Sequence, residues 1–144
     1  TQERPLDRGG AGGGNIVKLC DFGFAADGCG VDDEPALNDK CGSPDYIAPE
    51  VLNGSLYGCK VDVWAAGVVL FASLSAALPF AGKSDVETLR KVREGCYHFG
   101  SRWASISESA KEMVRALLVV DAARRPNAAD VVSRPWLAAH VAGG

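Results

Sequence analysis

The sequence predicts a mainly α-helical domain, one short strand followed by about five helices. Three observations predict it. From Val63 to Phe80 no residue carries a charge, and a helix apolar on all sides belongs at the centre of a helical domain. Residues 84–94 and the stretch from Ser107 onward place apolar residues at helical spacing. The β-favouring bulk sits in one short run, Ile16, Val17 and Leu19, before an Asp.

Composition narrows the class. The chain has 144 residues, 47% hydrophobic and 23% charged, which fits a single soluble globular domain with a core. A net charge of -3 gives no basic surplus to draw nucleic acid or an anionic membrane. Five cysteines, Cys20, Cys29, Cys41, Cys59 and Cys96, include no Cys-x-x-Cys pair, and there are two histidines. A structural zinc site is therefore not expected, and the expectation is reduced thiols in a protein of the cytoplasm or nucleus. The chain opens on Thr1, without Met or a signal-peptide pattern. It reads as a piece of something longer.

Taken in order, residues 1–14 end in a glycine run that fits neither G-x-G-x-x-G nor a P-loop. They read as a flexible insert or linker. Residues 15–20 read as the strand, which leaves Asp21 just past its end. Residues 24–40 show no period and collect Asp27, Asp32, Asp33, Glu34 and Asp39. They lack the ligand order of an EF-hand, so a solvated acidic loop is expected. Pro49 opens a short helix over 48–53, stopped by Asn53-Gly54. The next helix spans 60–75. Its apolar run meets a naive membrane-span length, but Gly67, Ser73 and Ser75 interrupt it and Pro79 ends it.

In 84–94, Ser84-Asp85-Val86-Glu87 forms a capping box, with Ser84 capping the Glu87 amide and Glu87 reaching back to the Ser84 amide. Val86, Leu89 and Val92 are expected to share its buried face, with Arg90, Lys91 and Arg93 outward and Gly95 at its end. Ala110, Met113, Val114, Leu117 and Leu118 give the stripe of the following helix. A last helix starts at Asn127 and breaks near Pro135, with Trp136 and Leu137 packing back. Residues 138–144 are expected to fray.

The chemistry comes from motifs. Asp21-Phe22-Gly23 is followed about thirty residues later by Ala48-Pro49-Glu50, itself preceded by Gly42-Ser43-Pro44-Asp45-Tyr46. Asp62-Val63-Trp64-Ala65-Ala66-Gly67 and Asp121-Ala122-Ala123-Arg124-Arg125 come further on. Either tripeptide alone is weak, but the pair in this order and spacing is strong. Over residues 15–137 the chain resembles the helical C-lobe of a eukaryotic protein kinase, most like the calcium/calmodulin-dependent serine/threonine group. On that resemblance 21–50 is the activation segment, 51–137 the helical subdomain, and the N-lobe is absent.

The resemblance implies transfer of the ATP γ-phosphoryl to a protein Ser or Thr. It implies Mg2+ and ATP as cofactors of the complete kinase, and partners in a protein substrate, the missing N-lobe and a C-terminal regulatory segment. Asp21 would be the magnesium ligand, since the ion prefers hard oxygens; an Asp capping a turn is the alternative. Phe22 would pack beneath the nucleotide cleft, and Gly23 would permit the torsions of the switch. Ser43 would hydrogen-bond a catalytic base and a nearby Lys, against an ordinary Gly/Pro turn.

Glu50 would pair with Arg125, with Arg124 as the other possible partner. Asp62 would support the catalytic loop or complement a helix N-terminus. Asp39 stands at the position that in related kinases often holds the phosphorylated threonine, and no Ser, Thr or Tyr lies between Phe24 and Gly42. Its fixed carboxylate would partly replace a phosphate, with about one charge against nearly two; a solvated acid is the alternative. The Gly-rich loop, the N-lobe Lys and His-Arg-Asp…Asn of a complete kinase are not in these 144 residues. The fragment is therefore expected to be inactive alone. A pseudokinase or truncated protein-binding module is the competing reading.

Overall fold

The computed structural model describes residues 18–26, 37–38 and 42–141, with side chains through 138. Six helices and one 3-10 turn carry it: α1 (Pro49–Leu52), α2 (Lys60–Ser75), α3 (Asp85–Glu94), the turn Ser101–Trp103, α4 (Glu108–Leu117), α5 (Ala128–Val132) and α6 (Pro135–Val141). The architecture is mainly helical, and the described residues contain no sheet. Of the expected strand, residues 18–20 have no regular structure and Leu19 is exposed. One antiparallel bridge joins Leu37 to Tyr57 through bonds of 3.0 and 2.9 Å. The glycine-rich start, most of the acidic loop, Asp39 and Cys41 lie outside the described residues.

α2 is the axis. Val63, Trp64, Gly67, Val68, Phe71 and Ser75 are buried along it, and it packs against α4. Gly67 permits that approach. A Cβ at this position would stand 2.8 Å from Leu117 Cβ and 2.8 Å from Leu118 Cδ2. Leu118 could rotate away, but Leu117 Cβ is fixed to the α4 backbone. Gly67→Ala is therefore expected to destabilise the chain by about 1–3 kcal/mol, although alanine gains about 1 kcal/mol of helix propensity. A chemical denaturation midpoint that rises instead would show that α4 yields freely.

The end of α2 lacks a glycine. Ala76 takes the left-handed conformation, φ 51°, and its N–H donates to the Ala72 carbonyl at 2.7 Å. Arg102 compensates by donating from Nη1 to the carbonyls of Ser75 and Ala76, at 3.1 and 2.7 Å. A cation at the negative end of the helix also complements its dipole.

Beyond α2 the chain adds an aromatic cluster that helical spacing does not announce. Phe71 meets Tyr97, Phe99 and Trp103, and Phe80 stacks on Trp64 with ring centroids 5.2 Å apart. Tyr97 is half-buried, and burial raises its phenol above the usual value.

α3 departs from its expected face. Ser84 caps the Glu87 amide at 3.3 Å, but the Glu87 carboxylate accepts from the Lys83 amide at 2.7 Å rather than from Ser84. That bond, then Lys91, holds the Glu87 carboxyl below its ordinary value. Val86 is 79% exposed, while Thr88 and Val92 are buried. At about 100° per residue, position 86 lies on the side of the helix away from Thr88 and Val92. Thr88 is held inward because its Oγ1 accepts from the Gly82 amide at 3.0 Å.

α4 buries the expected stripe, Ala110, Met113, Val114, Leu117 and Leu118. Asn127 caps α5 by accepting from the Asp130 amide at 2.8 Å. Pro135 opens α6 rather than simply ending α5, so residues 138–141 are helical instead of frayed. First-turn proline lacks only an N–H that has no intrahelical partner anyway. Trp136 and Leu137 pack on Val63, Met113 and Leu117.

Candidate functional site

The best-defined polar assembly lies where α1, the start of α2 and the turn before α5 meet. Glu50 stands in the first turn of α1, where an acid suits the helix dipole. Arg125 lies at the end of a turn in which the Asp121 carbonyl accepts from the amides of Arg124 and Arg125, both at 3.1 Å. Asp121 Oδ1 closes the turn on the Ala123 amide at 2.9 Å. This turn sends Arg125 inward and leaves Arg124 exposed, which decides between the two candidate partners of Glu50.

Arg125 is bound at all five N–H positions. Nη1 and Nη2 grip Oε1 and Oε2 of Glu50 at 2.8 and 3.0 Å. The second Nη1 hydrogen goes to the Lys60 carbonyl at 2.7 Å, Nε to Val119 at 3.0 Å, and the second Nη2 hydrogen to Val120 at 3.4 Å. The Arg125 side chain is 0% exposed and that of Glu50 is 12% exposed. The guanidinium also lies 5.2 Å from the Trp64 ring centroid. One cation thus ties the segment ending at Glu50 to the start of α2 and to the end of α4. A two-pronged carboxylate grip and three backbone acceptors match the fork of Arg and not the point charge of Lys.

The other candidate residues stay apart from this assembly. Asp21 is exposed and takes a left-handed backbone, φ 62°, which Asp tolerates better than most residues. The positive φ therefore belongs to Asp21 and not to Gly23, the residue expected to supply the unusual torsion. A Cβ on Gly23 would meet Asp21 Oδ1 at 3.4 Å, an ordinary contact. Phe22 is 69% exposed and packs beneath nothing in the described residues; its carbonyl accepts from Ala25 at 3.0 Å to close a turn.

Ser43 is exposed, and its carbonyl accepts from the Tyr46 amide at 3.0 Å in a turn that Gly42 enters at φ 107°. Asp62 is exposed in the first turn of α2, and no donor among the described residues reaches its carboxylate. No hydrogen bond joins the side chains of Asp21, Ser43 and Asp62. Among the described residues no three His, Cys, Asp or Glu side chains gather to hold a metal. Asp21 offers one carboxylate, which fits the way magnesium is held, by one or two protein carboxylates with the rest of its shell from phosphates and water. Sequence reasoning missed the carbonyls of Lys60, Val119 and Val120 and the ring of Trp64 as partners of Arg125. Only the Trp in Asp-x-Trp-x-x-Gly offered a signal.

A model of the protein kinase domain family matches residues 8–137. The chain belongs to the protein kinase family. Its relatives include calcium-dependent protein kinase 3 of Plasmodium berghei (strain Anka), 41% identical over 123 residues, which are 85% of this chain and 22% of that protein. Serine/threonine-protein kinase H2 of Homo sapiens is 39% identical over 128 residues, 88% of this chain and 33% of that protein. Calcium-dependent protein kinase 9 of Arabidopsis thaliana is 40% identical over 123 residues, 85% of this chain and 22% of that protein. The chain thus spans about a fifth to a third of the length of these relatives. The likeness to calcium-dependent and other serine/threonine kinases fits the group that the motifs suggested. Among the described residues no helix is long and apolar enough to cross a membrane.

Proposed function

We propose that this chain is the substrate-facing helical half of a protein serine/threonine kinase domain. Joined to an upstream half, it would move the γ-phosphoryl of Mg-ATP to a Ser or Thr hydroxyl of a protein, in the cytoplasm or nucleus. The observation that carries the reading is the buried Glu50–Arg125 clamp, which anchors the end of the activation segment to the helical core. A solvent-facing Asp21 in a left-handed backbone supports it, because strained torsions gather at ligand sites. Asp21 would hold magnesium, and the ion would supply charge neutralisation of the phosphates. Ser43 would support the upstream catalytic base. Asp62 would support the catalytic loop, and Asp39 would stand in part for an activating phosphate.

Alone the chain can neither deprotonate a hydroxyl nor orient ATP, so it is expected to transfer no phosphate. The test has two stages. Purified 1–144 is incubated with Mg-ATP and Ser/Thr protein substrates; phosphate incorporation would overturn the inactive-fragment reading. The upstream half of a related kinase is then fused ahead of Asn15. Activity is expected, falling a hundredfold or more in Asp21→Asn, since transition-state charge loses its metal ligand. Asp39→Ala is expected to lower it less, and unchanged activity would remove the regulatory role of Asp39. A folded fusion with no transfer would favour the alternative, a pseudokinase or truncated binding module. That second reading draws on exposed Leu19, Phe22, Phe24 and Val69, apolar side chains open to a partner.

A further inference from the structure

A cleft of about 480 Å³ lies between the end of α2, the loop after it and the segment from Cys96 to Trp103. This is the size that receives a small ligand or one or two peptide side chains, roughly 300–1,000 Å³. Phe71, Leu78, Pro79 and Trp103 give it an apolar wall, Lys91, His98, Ser101 and Arg102 a polar rim, and no Asp or Glu lines it.

Two of the rim side chains, Arg102 and Lys91, are held in place. Arg102 has committed Nη1 to the carbonyls of Ser75 and Ala76. Its Nε and Nη2 have no partner among the described residues, and they form the edge that grips a carboxylate with two parallel bonds. Lys91 donates to the Ala81 carbonyl at 2.7 Å and shares its charge with Glu87 at 3.2 Å, which leaves one of its three hydrogens. His98 and Ser101 are exposed, and their side chains make no hydrogen bond within the described residues.

We propose that this cleft docks an acidic peptide segment of a partner protein. An apolar side chain enters against Leu78, Pro79 and Trp103, and an adjacent carboxylate takes the free edge of Arg102. Charge selects this occupant: the rim offers donors and no carboxylate to pair a basic one. The proposal needs nothing from the kinase reading, and its test measures binding without phosphoryl transfer.

The test is an NMR titration of the ¹⁵N-labelled full chain with the capped peptide Glu-Asp-Phe-Glu-Asp. The amides of 77–81 and 96–103 are expected to shift together and saturate. Replacing the acids of the peptide by Lys, or its Phe by Ser, should weaken binding at least tenfold. His98→Glu should do the same, since His98 is exposed and supports no other group. Arg102→Gln should also weaken binding, but it loosens the end of α2, so His98→Glu is the deciding variant. The proposal is overturned by no saturation at about 1 mM, the range of weak peptide docking. It is equally overturned by an equal response to the Lys peptide, by saturable shifts located elsewhere, or by unchanged binding in His98→Glu.

Discussion

Arg125→Ala is expected to lower the unfolding free energy by about 3–5 kcal/mol, the range for breaking a buried ion pair from one side. The loss is large because Glu50 keeps its charge in a site that is 12% exposed. Three backbone carbonyls, of Lys60, Val119 and Val120, lose their donor as well. Domains of this size hold only about 5–15 kcal/mol in total, so the variant should sit near the edge of folding. Glu50→Ala should cost a similar amount, because the remaining guanidinium is wholly buried. Arg125→Lys should fall between wild type and Arg125→Ala, with three donors where five are used. Replacing both partners by apolar residues should recover much of the loss, since no charge is then stranded. Urea unfolding of the four variants checks the set. A cost for Arg125→Ala below about 1 kcal/mol, the level of an exposed bridge, would show that the pair is solvated.

Trp64→Ala should be comparably severe, at about 3–5 kcal/mol for deletion of a buried tryptophan. Its ring carries two neighbours at once, Phe80 stacked at 5.2 Å and the Arg125 guanidinium at 5.2 Å. Removing it opens the core beside α2 and takes the aromatic surface from the clamp. Trp64→Phe separates these contributions from the indole N–H. Nε1 of Trp64 is buried and has no hydrogen-bond partner among the described residues, and such a donor costs about 1–3 kcal/mol. Phenylalanine keeps an aromatic face and drops that donor, so Trp64→Phe should cost far less than Trp64→Ala. Equal losses for the two would mean that the indole edge, and not the ring face, carries the packing. Thermal unfolding followed by far-UV circular dichroism measures both.

Helix identity was legible because it rests on local chemistry. The charge-free run placed α2 at the centre, Ser84 and Asn127 marked helix starts by side-chain caps, and the spacing of Ala110, Met113, Val114, Leu117 and Leu118 named the face that α4 buries. Local rules failed where two solutions compete within a turn. Glu87 could reach back to the amide of Ser84 or of Lys83, and the geometry of the chain entering α3 chose Lys83. Val86 fits the three-residue spacing, but the buried face of α3 is the one through Thr88 and Val92. Pro135 could stop one helix or start another, and packing of Trp136 and Leu137 on Val63 and Met113 favoured the start of α6.

The motifs named the chemical groups but not their surroundings. Asp21-Phe22-Gly23 pointed to a metal ligand and a packed ring, and the described residues leave Phe22 exposed and give the left-handed torsion to Asp21. By itself the sequence determined the family, the helical class and the charged partners, Glu50 and an arginine of 124–125, at the candidate site. Periodicity, capping and motif spacing are properties of neighbours along the chain. The tertiary structure decided that Arg125 and not Arg124 meets Glu50. It also decided that five N–H groups converge on acceptors from three parts of the chain, and that Arg102 and Lys91 rim an apolar cleft. The longest of those links, Arg125 to Glu50 and to Lys60, join residues 75 and 65 positions apart, and only the packing of the helices brings them within hydrogen-bond reach.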